Sequence, residues 1–277
     1  MYFFGRYNWL GWGDEETKPV QFRPIEEVSV TPAQRAVVWF LFVSSLLFVL
    51  QTLTGGLIAH YRAEPEAFFG IDFSTVLPFN IMRTWHVQLA IFWVSASFLA
   101  TGIFIVPLIA GKERRGQSAL TMALLVAVAI VVFGSLAGEY AGARGWLGEG
   151  LWFWLGHQGW EYLDLGRLWQ ILLIVGLSLW VVILLRGLSG TLKEQHFGNM
   201  PWMLFYAALA IPAFYAVGLL ASPRQSFVVN DFWRFWVVHL WVVSCDYLYP
   251  PRTGLRSQWR VDQIRLVNPE AIAGVRW

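Results

Sequence analysis

Five long runs without a charged side chain constrain this chain more than any other feature of its sequence. No Asp, Glu, Lys or Arg occurs in residues 36–61, 84–111, 116–138, 168–185 or 197–223. A water-soluble fold would have to bury each run on every side, because about 18 or more consecutive apolar residues leave no polar face for solvent. The runs therefore predict helices that cross a lipid bilayer.

The composition supports a membrane environment and excludes other classes. Hydrophobic residues make up 57% of the chain and charged residues only 14%, whereas soluble domains carry about 25% charged residues. A net charge of +2 excludes a nucleic-acid-binding protein, since such a surface needs many clustered cations. Cys245 is the only cysteine, so an internal disulfide and a CxxC motif are both excluded.

Six hydrophobic segments are predicted, and the first five are long enough to span a bilayer. Thr31 and Pro32 mark the start of the first segment as an N-cap followed by proline. The expected fold is an all-α, polytopic transmembrane helix bundle of about six spans. The segments cover about 36–59, 80–109, 118–137, 168–185 and 202–220, and the sixth begins near 229.

The charges of the loops predict the orientation of the bundle. Basic residues are in modest excess in the loops on the N-terminal side, which places residues 1–35 in the cytoplasm. The loop from Tyr140 to Gly166 then lies outside, and its many Trp and Gly residues indicate an interfacial segment rather than a span.

The end of the chain differs from the bundle that precedes it. Residues 36–243 form the predicted bundle, whereas residues 244–277 contain five arginines and the paired prolines Pro250 and Pro251. These residues exclude burial in lipid, so 244–277 is predicted to be an aberrant polar tail that forms no span. Both a premature or out-of-frame ending and an ordinary cytoplasmic tail fit this composition.

Two histidines lie inside predicted spans. From the starts of their segments, His86 lies about 9 Å and His239 about 15 Å below the outer edge of the membrane. Neutral imidazoles at that depth suit iron or another transition metal, and for each residue alone a hydrogen-bonded structural histidine is an equally good explanation. Both rings are expected to face the bundle interior, because an imidazole facing lipid is costly.

Two pairs of polar residues lie near the predicted outer edge. His60 and Glu64 are spaced i, i+4 and could bind and deprotonate a quinol headgroup, although an ordinary polar helix end is the better explanation from spacing alone. Glu161 and Asp164 are spaced i, i+3 near Arg167, which suits a cation site, proton access or an ordinary first helical turn.

Two other histidines, His157 and His196, are predicted to lie in loops without a direct role.

Three strings resemble the quinol-dependent nitric oxide reductases, which are members of the haem-copper oxidase superfamily. The resemblance extends from residue 1 to about residue 242, and it includes FFGRYNWLGW near the start. In the family that string follows an earlier helix and an extracytoplasmic domain, so this chain is expected to be truncated at both ends. The three strings are RTWHVQLAIFW (83–93), WFWLGHQGWEYLDLGRLWQ (152–170) and FWRFWVVHLWV (232–242).

The resemblance implies a reaction and its cofactors. Two molecules of nitric oxide would be reduced to nitrous oxide and water with electrons from quinol. The electrons would pass through a low-spin haem b to a centre of high-spin haem b and non-haem iron. The resemblance also implies a multi-pass protein of the bacterial inner membrane, for which a homodimer is the candidate assembly.

The resemblance assigns roles to residues that match the family strings. His86 would be one axial ligand of the low-spin haem, and His239 one ligand of the non-haem iron. A glutamate normally follows that second histidine by four positions, where this chain has Val243.

Acidic and quinol-binding roles follow in the same way. Glu161 and Asp164 would occupy the acidic positions near the haem propionates, where related enzymes hold calcium or an equivalent charge. The resemblance also strengthens the quinol assignment of His60 and Glu64.

Ligand counting predicts that the chain alone is inactive, because it supplies one axial bond to a haem that needs two and one bond to an iron that needs several. Two alternatives compete with a nitric oxide reductase fragment. One is a fragment of an oxygen-reducing terminal oxidase, and the other is a non-enzymatic membrane protein such as a channel, a transporter or an assembly partner.

Overall fold

The computed structural model describes residues 29–65, 67–159, 164–193 and 200–246. Within these ranges the chain is helical and contains no strand of a sheet, which confirms the all-α prediction. Short 3-10 turns follow the fifth and sixth helices at Thr191–Lys193 and Val217–Leu220. The helices are α1 (Pro32–Tyr61), α2 (Phe79–Ala110), α3 (Gln117–Ala143), α4 (Glu149–Leu155), α5 (Arg167–Leu188), α6 (Met200–Ala216) and α7 (Phe227–Asp246).

Five stretches of helix are long and apolar enough to cross a membrane. They are α1, α2, α3, α5 and Pro201–Leu220, which comprises α6 and its 3-10 turn. The five predicted spans are thus confirmed. Among the described residues, α7 does not meet the same criterion, and it carries an ion pair between Asp231 and Arg234 at 2.8 Å.

The first span begins as the sequence predicts. The Thr31 hydroxyl accepts from the Gln34 backbone amide at 3.3 Å, and the Gln34 side chain accepts from the Thr31 amide at 2.9 Å. This reciprocal pair satisfies two donors that a helix start leaves unbonded, and Pro32 occupies the first turn.

The third span is longer than predicted. α3 continues to Ala143 rather than ending near Ala137, because Gly138, Glu139 and Tyr140 remain helical. The first four residues of the predicted interfacial segment, 140–143, thus form the last turn of α3. The rest of that loop contains α4, a seven-residue helix that is too short to span.

The helices run alternately up and down, which gives the bundle two ends. At the His60 end, the Tyr61 hydroxyl donates to the Leu77 carbonyl at 2.7 Å and Arg144 donates to the Val76 carbonyl at 2.7 Å. At the opposite end, which we call the Glu113 end, the Ala33 amide donates to Glu113 at 2.9 Å.

The core lies where α2, α3 and α5 meet, and α1 packs along α2 in the most extensive helix pair. Small residues allow the close approach: a Cβ on Gly102 would lie 2.7 Å from the Trp180 ring. The outward side chains are apolar, including Val38, Phe42 and Leu53 on α1. Such a surface suits contact with lipid chains.

Some predicted features lie outside the described residues. They are Glu161, His196, residues 1–28 and the part of the tail from 247 to 277. Residues 244–246, placed in the tail by composition, are the last residues of α7.

Candidate functional site

His86 lies on α2 in the α1–α2 interface and is held by α1. Its Nδ1 is 2.8 Å from the Gln51 carbonyl oxygen, which can only accept, so Nδ1 carries the proton and donates. The other ring nitrogen, Nε2, is then the acceptor and takes a hydrogen bond from the Gln51 side-chain amide at 3.3 Å. A backbone acceptor that fixes the tautomer in this way is typical of metal-ligating histidines.

Gly55 makes room for the His86 ring. A Cβ at this position would lie 2.7 Å from Cε1 of the ring, closer than real Cβ contacts come, and 3.0 Å from Nδ1. At the adjacent Gly56 a Cβ would meet nothing within 4 Å. The requirement for glycine is therefore specific to the face of α1 that meets His86.

His60 and Glu64 come together at the end of α1. His60 Nε2 lies 2.7 Å from Glu64 Oε2, and the two side chains are 20% and 43% exposed. The spacing brings both groups to one face, and the remaining exposure leaves them reachable by a ligand at the bundle end.

Two phenyl rings flank the His60 imidazole. The ring centroid of Phe68 lies 4.5 Å from that of His60, and the centroid of Phe69 lies 4.9 Å away. Phe69 has φ 51° and is followed by Gly70 with φ 79°, so a left-handed turn directs the segment back toward α1. Sequence reasoning did not identify these rings, because the turn that places them has no strong pattern.

His239 lies about 18 Å along α7 from its start at Phe227. Its ring is exposed and stacks on Phe235 with centroids 5.1 Å apart and an interplanar angle of 13°. Within the described chain α7 packs mainly on α6 and the 3-10 turn after it, so the structure does not bring His239 to His86. The expectation that His239 faces the interior of this bundle is wrong for the described residues, since no described helix covers that face.

Asp164 lies in the loop before α5 rather than in a helix. α5 begins at Arg167, so the predicted shared helix face with Glu161 and the first-turn placement are wrong for Asp164. The Gln158 backbone amide donates to the Asp164 carbonyl at 2.9 Å. Asp164 is buried, at 6% exposed.

A buried polar cluster surrounds Asp164 at the His60 end. Gln88 Nε2 donates to Asp164 Oδ2 at 3.2 Å, and Arg167 donates to the Ala221 carbonyl. Tyr215 interacts electrostatically with Arg167, Asp164 and Glu139. The cluster thus joins α2, α3, α5 and α6.

His157 lies in the same loop, half-buried. Its ring packs on Trp152 with centroids 5.8 Å apart, and burial lowers the pKa of the imidazole below its ordinary value. A neutral His157 therefore fits its environment, and the loop placement predicted for it is confirmed.

A family model described as "Cytochrome C and Quinol oxidase polypeptide I" matches residues 35–254. The chain belongs to this family. Its members are membrane oxidoreductases of the haem-copper type that bind haem and a metal centre, and the five apolar helices make this chain a multi-pass membrane protein.

The environment of His86 fits the haem that membership of this family implies. The proton on Nδ1 is engaged by a backbone carbonyl, and Nε2 has the lone pair that an axial ligand needs, which would bind iron in place of the Gln51 side-chain amide that it accepts from here. An iron or calcium ion would need several ligating side chains close together. No group of three or more His, Cys, Asp or Glu side chains able to hold a metal ion occurs in the ranges that the structure describes.

Three of the residues that sequence reasoning missed act through a partner distant in sequence. Gln51 and Gly55 gain their role from His86, and Gln88 gains its role from Asp164. Glu139 was missed because it lies just beyond the charge-free run that predicted α3. The presence of a carboxylate near the end of such a run was the available signal.

Proposed function

We propose that this chain is part of a quinol-dependent nitric oxide reductase in the cytoplasmic membrane of a bacterium. The reaction would convert two nitric oxide molecules, two electrons and two protons into nitrous oxide and water. The observation that carries the proposal is the His60–Glu64 pair at 2.7 Å, flanked by Phe68 and Phe69.

The pair has the chemistry that quinol oxidation needs. Conversion of a quinol to a quinone releases two electrons and two protons, so a binding site benefits from two neighbouring proton acceptors. His60 and Glu64 provide an imidazole and a carboxylate already in contact, and their contact uses Nε2 and Oε2. Nδ1 and Oε1 are then the atoms that would meet the quinol hydroxyl.

Phe68 and Phe69 would hold the headgroup in place. Offset or edge contacts between aromatic rings stabilise a planar ring without requiring a charge. Both phenyl rings lie within 5 Å of the His60 ring, so a quinol that bonds to His60 would also contact them.

His86 would hold the low-spin haem b through Nε2. When bound, that haem supplies a one-electron carrier between the quinol site and the site of reduction. The Gln51 carbonyl keeps the proton on Nδ1, and Gly55 leaves the ring free to adopt this orientation. His86 lies about two helical turns from the start of α2, at the same end of the bundle as His60.

Nitric oxide, rather than oxygen, is proposed as the substrate because of the strings around His86, Asp164 and His239. The loop string GHQGWEYLDLGR resembles the nitric oxide reductases more than the terminal oxidases. His239 as an iron ligand, and Asp164 with Glu161 as a calcium or charge site, are part of the same proposal.

Separate electron donors test the quinol site. In membranes that contain the complete reductase of which this chain is part, the variants His60→Asn and Glu64→Gln should each reduce quinol-driven turnover by about a hundredfold. Turnover driven by a reduced dye that bypasses quinol should stay unchanged. Asp72→Asn is the matched control, because Asp72 is an exposed carboxylate in the same connection that accepts hydrogen bonds from Ser74 and Thr75 of its own turn.

Product analysis tests the substrate. The same membranes supplied with quinol should form nitrous oxide from isotopically labelled nitric oxide and consume little oxygen. Equal loss of dye-driven turnover in the His60 variant would overturn the quinol role. Rapid oxygen uptake without nitrous oxide would assign the chain to the terminal oxidases.

A further inference from the structure

Two arginines cross between the α2–α3 turn and the end of α5, at the Glu113 end of the bundle. The Arg114 guanidinium donates to the Ser189 hydroxyl at 2.6 Å, and the Arg186 guanidinium donates to the Arg115 carbonyl at 3.2 Å. The two contacts run in opposite directions between the same two segments, so both guanidinium groups lie at one junction. We call Arg114 and Arg186 the arginine pair.

The charge of the arginine pair is not balanced within the part of the chain that the structure describes. Both contacts are to neutral oxygen atoms, and neither arginine forms an ion pair with an acidic side chain there. Glu113 lies in the same turn, but its Oε2 accepts from the Ala33 amide at 2.9 Å. Lys112 and Arg115 add two exposed cations. An anionic ligand would relieve the repulsion among these four charges.

The arginine pair retains donors for such a ligand. A guanidinium has five N–H groups, and both side chains are exposed. A phosphate group has several oxygens that accept two parallel N–H bonds from one arginine, a geometry that lysine does not match. Two neighbouring guanidinium groups can therefore hold one phosphate from two sides.

An apolar stripe on α5 leads from the arginine pair into the membrane. Val182, Val175 and Ile171 precede Arg186 by 4, 11 and 15 positions, which places all four side chains on one face of the helix. The three apolar side chains are exposed. From Arg186 to Val175 the stripe is about 16 Å long, close to the hydrocarbon depth of one leaflet, about 15 Å. The surface beside the arginine pair is thus long enough for an acyl chain.

We propose that the arginine pair binds the phosphate group of an anionic phospholipid, whose acyl chain lies along the stripe of α5. A free phosphate would bond to the guanidinium groups but leave the stripe uncovered. A zwitterionic lipid carries a cationic group that the four basic side chains repel. The site is independent of the reaction proposed above, because it lies at the end of the bundle opposite to His60 and Glu64.

Photoreactive lipids test the site. The complete native protein is placed in phosphatidylcholine nanodiscs that contain a trace of phosphatidylglycerol with a photoreactive group in its acyl chain. Labelling of the peptide that contains Val182 should be about fivefold or more above that obtained with a phosphatidylcholine probe carrying the same group, as expected for attraction by one or more nearby cations. Equal labelling by the two probes would overturn the proposal.

Removal of the two charges checks the origin of this preference. Arg114→Gln combined with Arg186→Gln should lower phosphatidylglycerol labelling to the phosphatidylcholine level. Arg62→Gln combined with Arg224→Gln is the matched control, because these arginines are exposed at the His60 end and the net charge changes equally. The control should keep the preference. Persistence of the preference in the folded Arg114 and Arg186 variant, or its loss in the control, would contradict a local site.

Lysine substitutions separate charge from phosphate geometry. Arg114→Lys combined with Arg186→Lys keeps both charges but removes the parallel N–H bonds, so labelling should fall by about threefold and remain above the phosphatidylcholine level. Labelling at the original level would show that surface charge alone attracts the lipid, and it would overturn the binding of the phosphate by the arginine pair.

Inorganic phosphate distinguishes a lipid from a soluble anion. A lipid is held at the site by its acyl chain, so phosphate and chloride at equal ionic strength should reduce the labelling equally, through screening. A larger reduction by phosphate would show that the arginine pair takes a free phosphate and would overturn the assignment of a lipid.

Discussion

His86 and His239 were given similar roles by the same kind of sequence match, yet their surroundings differ. His86 lies between two helices, with its proton directed to the Gln51 carbonyl and its ring fitted against Gly55. His239 is exposed and contacts Phe235 one turn away on its own helix. The difference shows that a neighbouring helix determines the orientation of a histidine ring. The sequence string around the histidine predicts only its position along its own helix.

Replacement of His86 should have the largest effect on the comparison. His86→Leu removes the only imidazole of α2, so the low-spin haem b that we propose for this site should be lost entirely. A reduced-minus-oxidised spectrum of the purified holoenzyme measures this loss. A normal low-spin signal in the folded variant would mean that the orientation of His86 serves only packing.

Gly55 tests whether the neighbouring helix matters. Gly55→Ala places a Cβ against the His86 ring and should reduce haem occupancy by about tenfold, comparable to the loss of an orienting contact around a metal ligand. The control is Gly56→Ala, which has open space and should stabilise the helix by about 0.5–1 kcal/mol. Haem content and melting temperature should be measured for both. If Gly55→Ala and Gly56→Ala give the same haem content and melting temperature, the fit of the His86 ring against α1 does not affect haem binding.

A substitution of His157 tests the effect of burial on a histidine for which no ligand role is proposed. Because burial lowers its pKa in the folded protein, the unfolded state binds the proton more readily. The free energy of unfolding is therefore unaffected by this histidine above its ordinary pKa of 6.5. It decreases as the pH falls below that value, because the unfolded state then takes up the proton. His157→Phe keeps the ring contact with Trp152 and should flatten this part of the pH profile of the melting temperature. An unchanged profile would contradict a neutral, buried His157.

His239 should show the smallest effect on stability. Since its ring is exposed, His239→Ala should change the free energy of unfolding by less than about 0.5 kcal/mol. Iron analysis of the same variant sharpens the comparison, because a loss of non-haem iron at unchanged stability would assign the residue a ligand role. A large destabilisation would show that its ring is covered in the assembled protein.

The sequence by itself determined the spans and the cap. Five charge-free runs predicted five helices within a few residues, because hydrocarbon excludes charges and requires every backbone group to bond within its own helix. Thr31, Gln34 and Pro32 fixed the start of α1 for local reasons. His60 and Glu64 came together as expected, since their i, i+4 spacing is also a local property.

Only the tertiary structure decided which side chains meet inside the bundle. Gly55 and Gly56 are indistinguishable in sequence, and the rotation of α1 against α2 determines which of them meets His86. Gln88 meets Asp164, 76 positions later, only because α2 packs beside the chain that leads into α5. Such choices depend on contacts between residues far apart in the chain, and a periodic apolar pattern does not encode them.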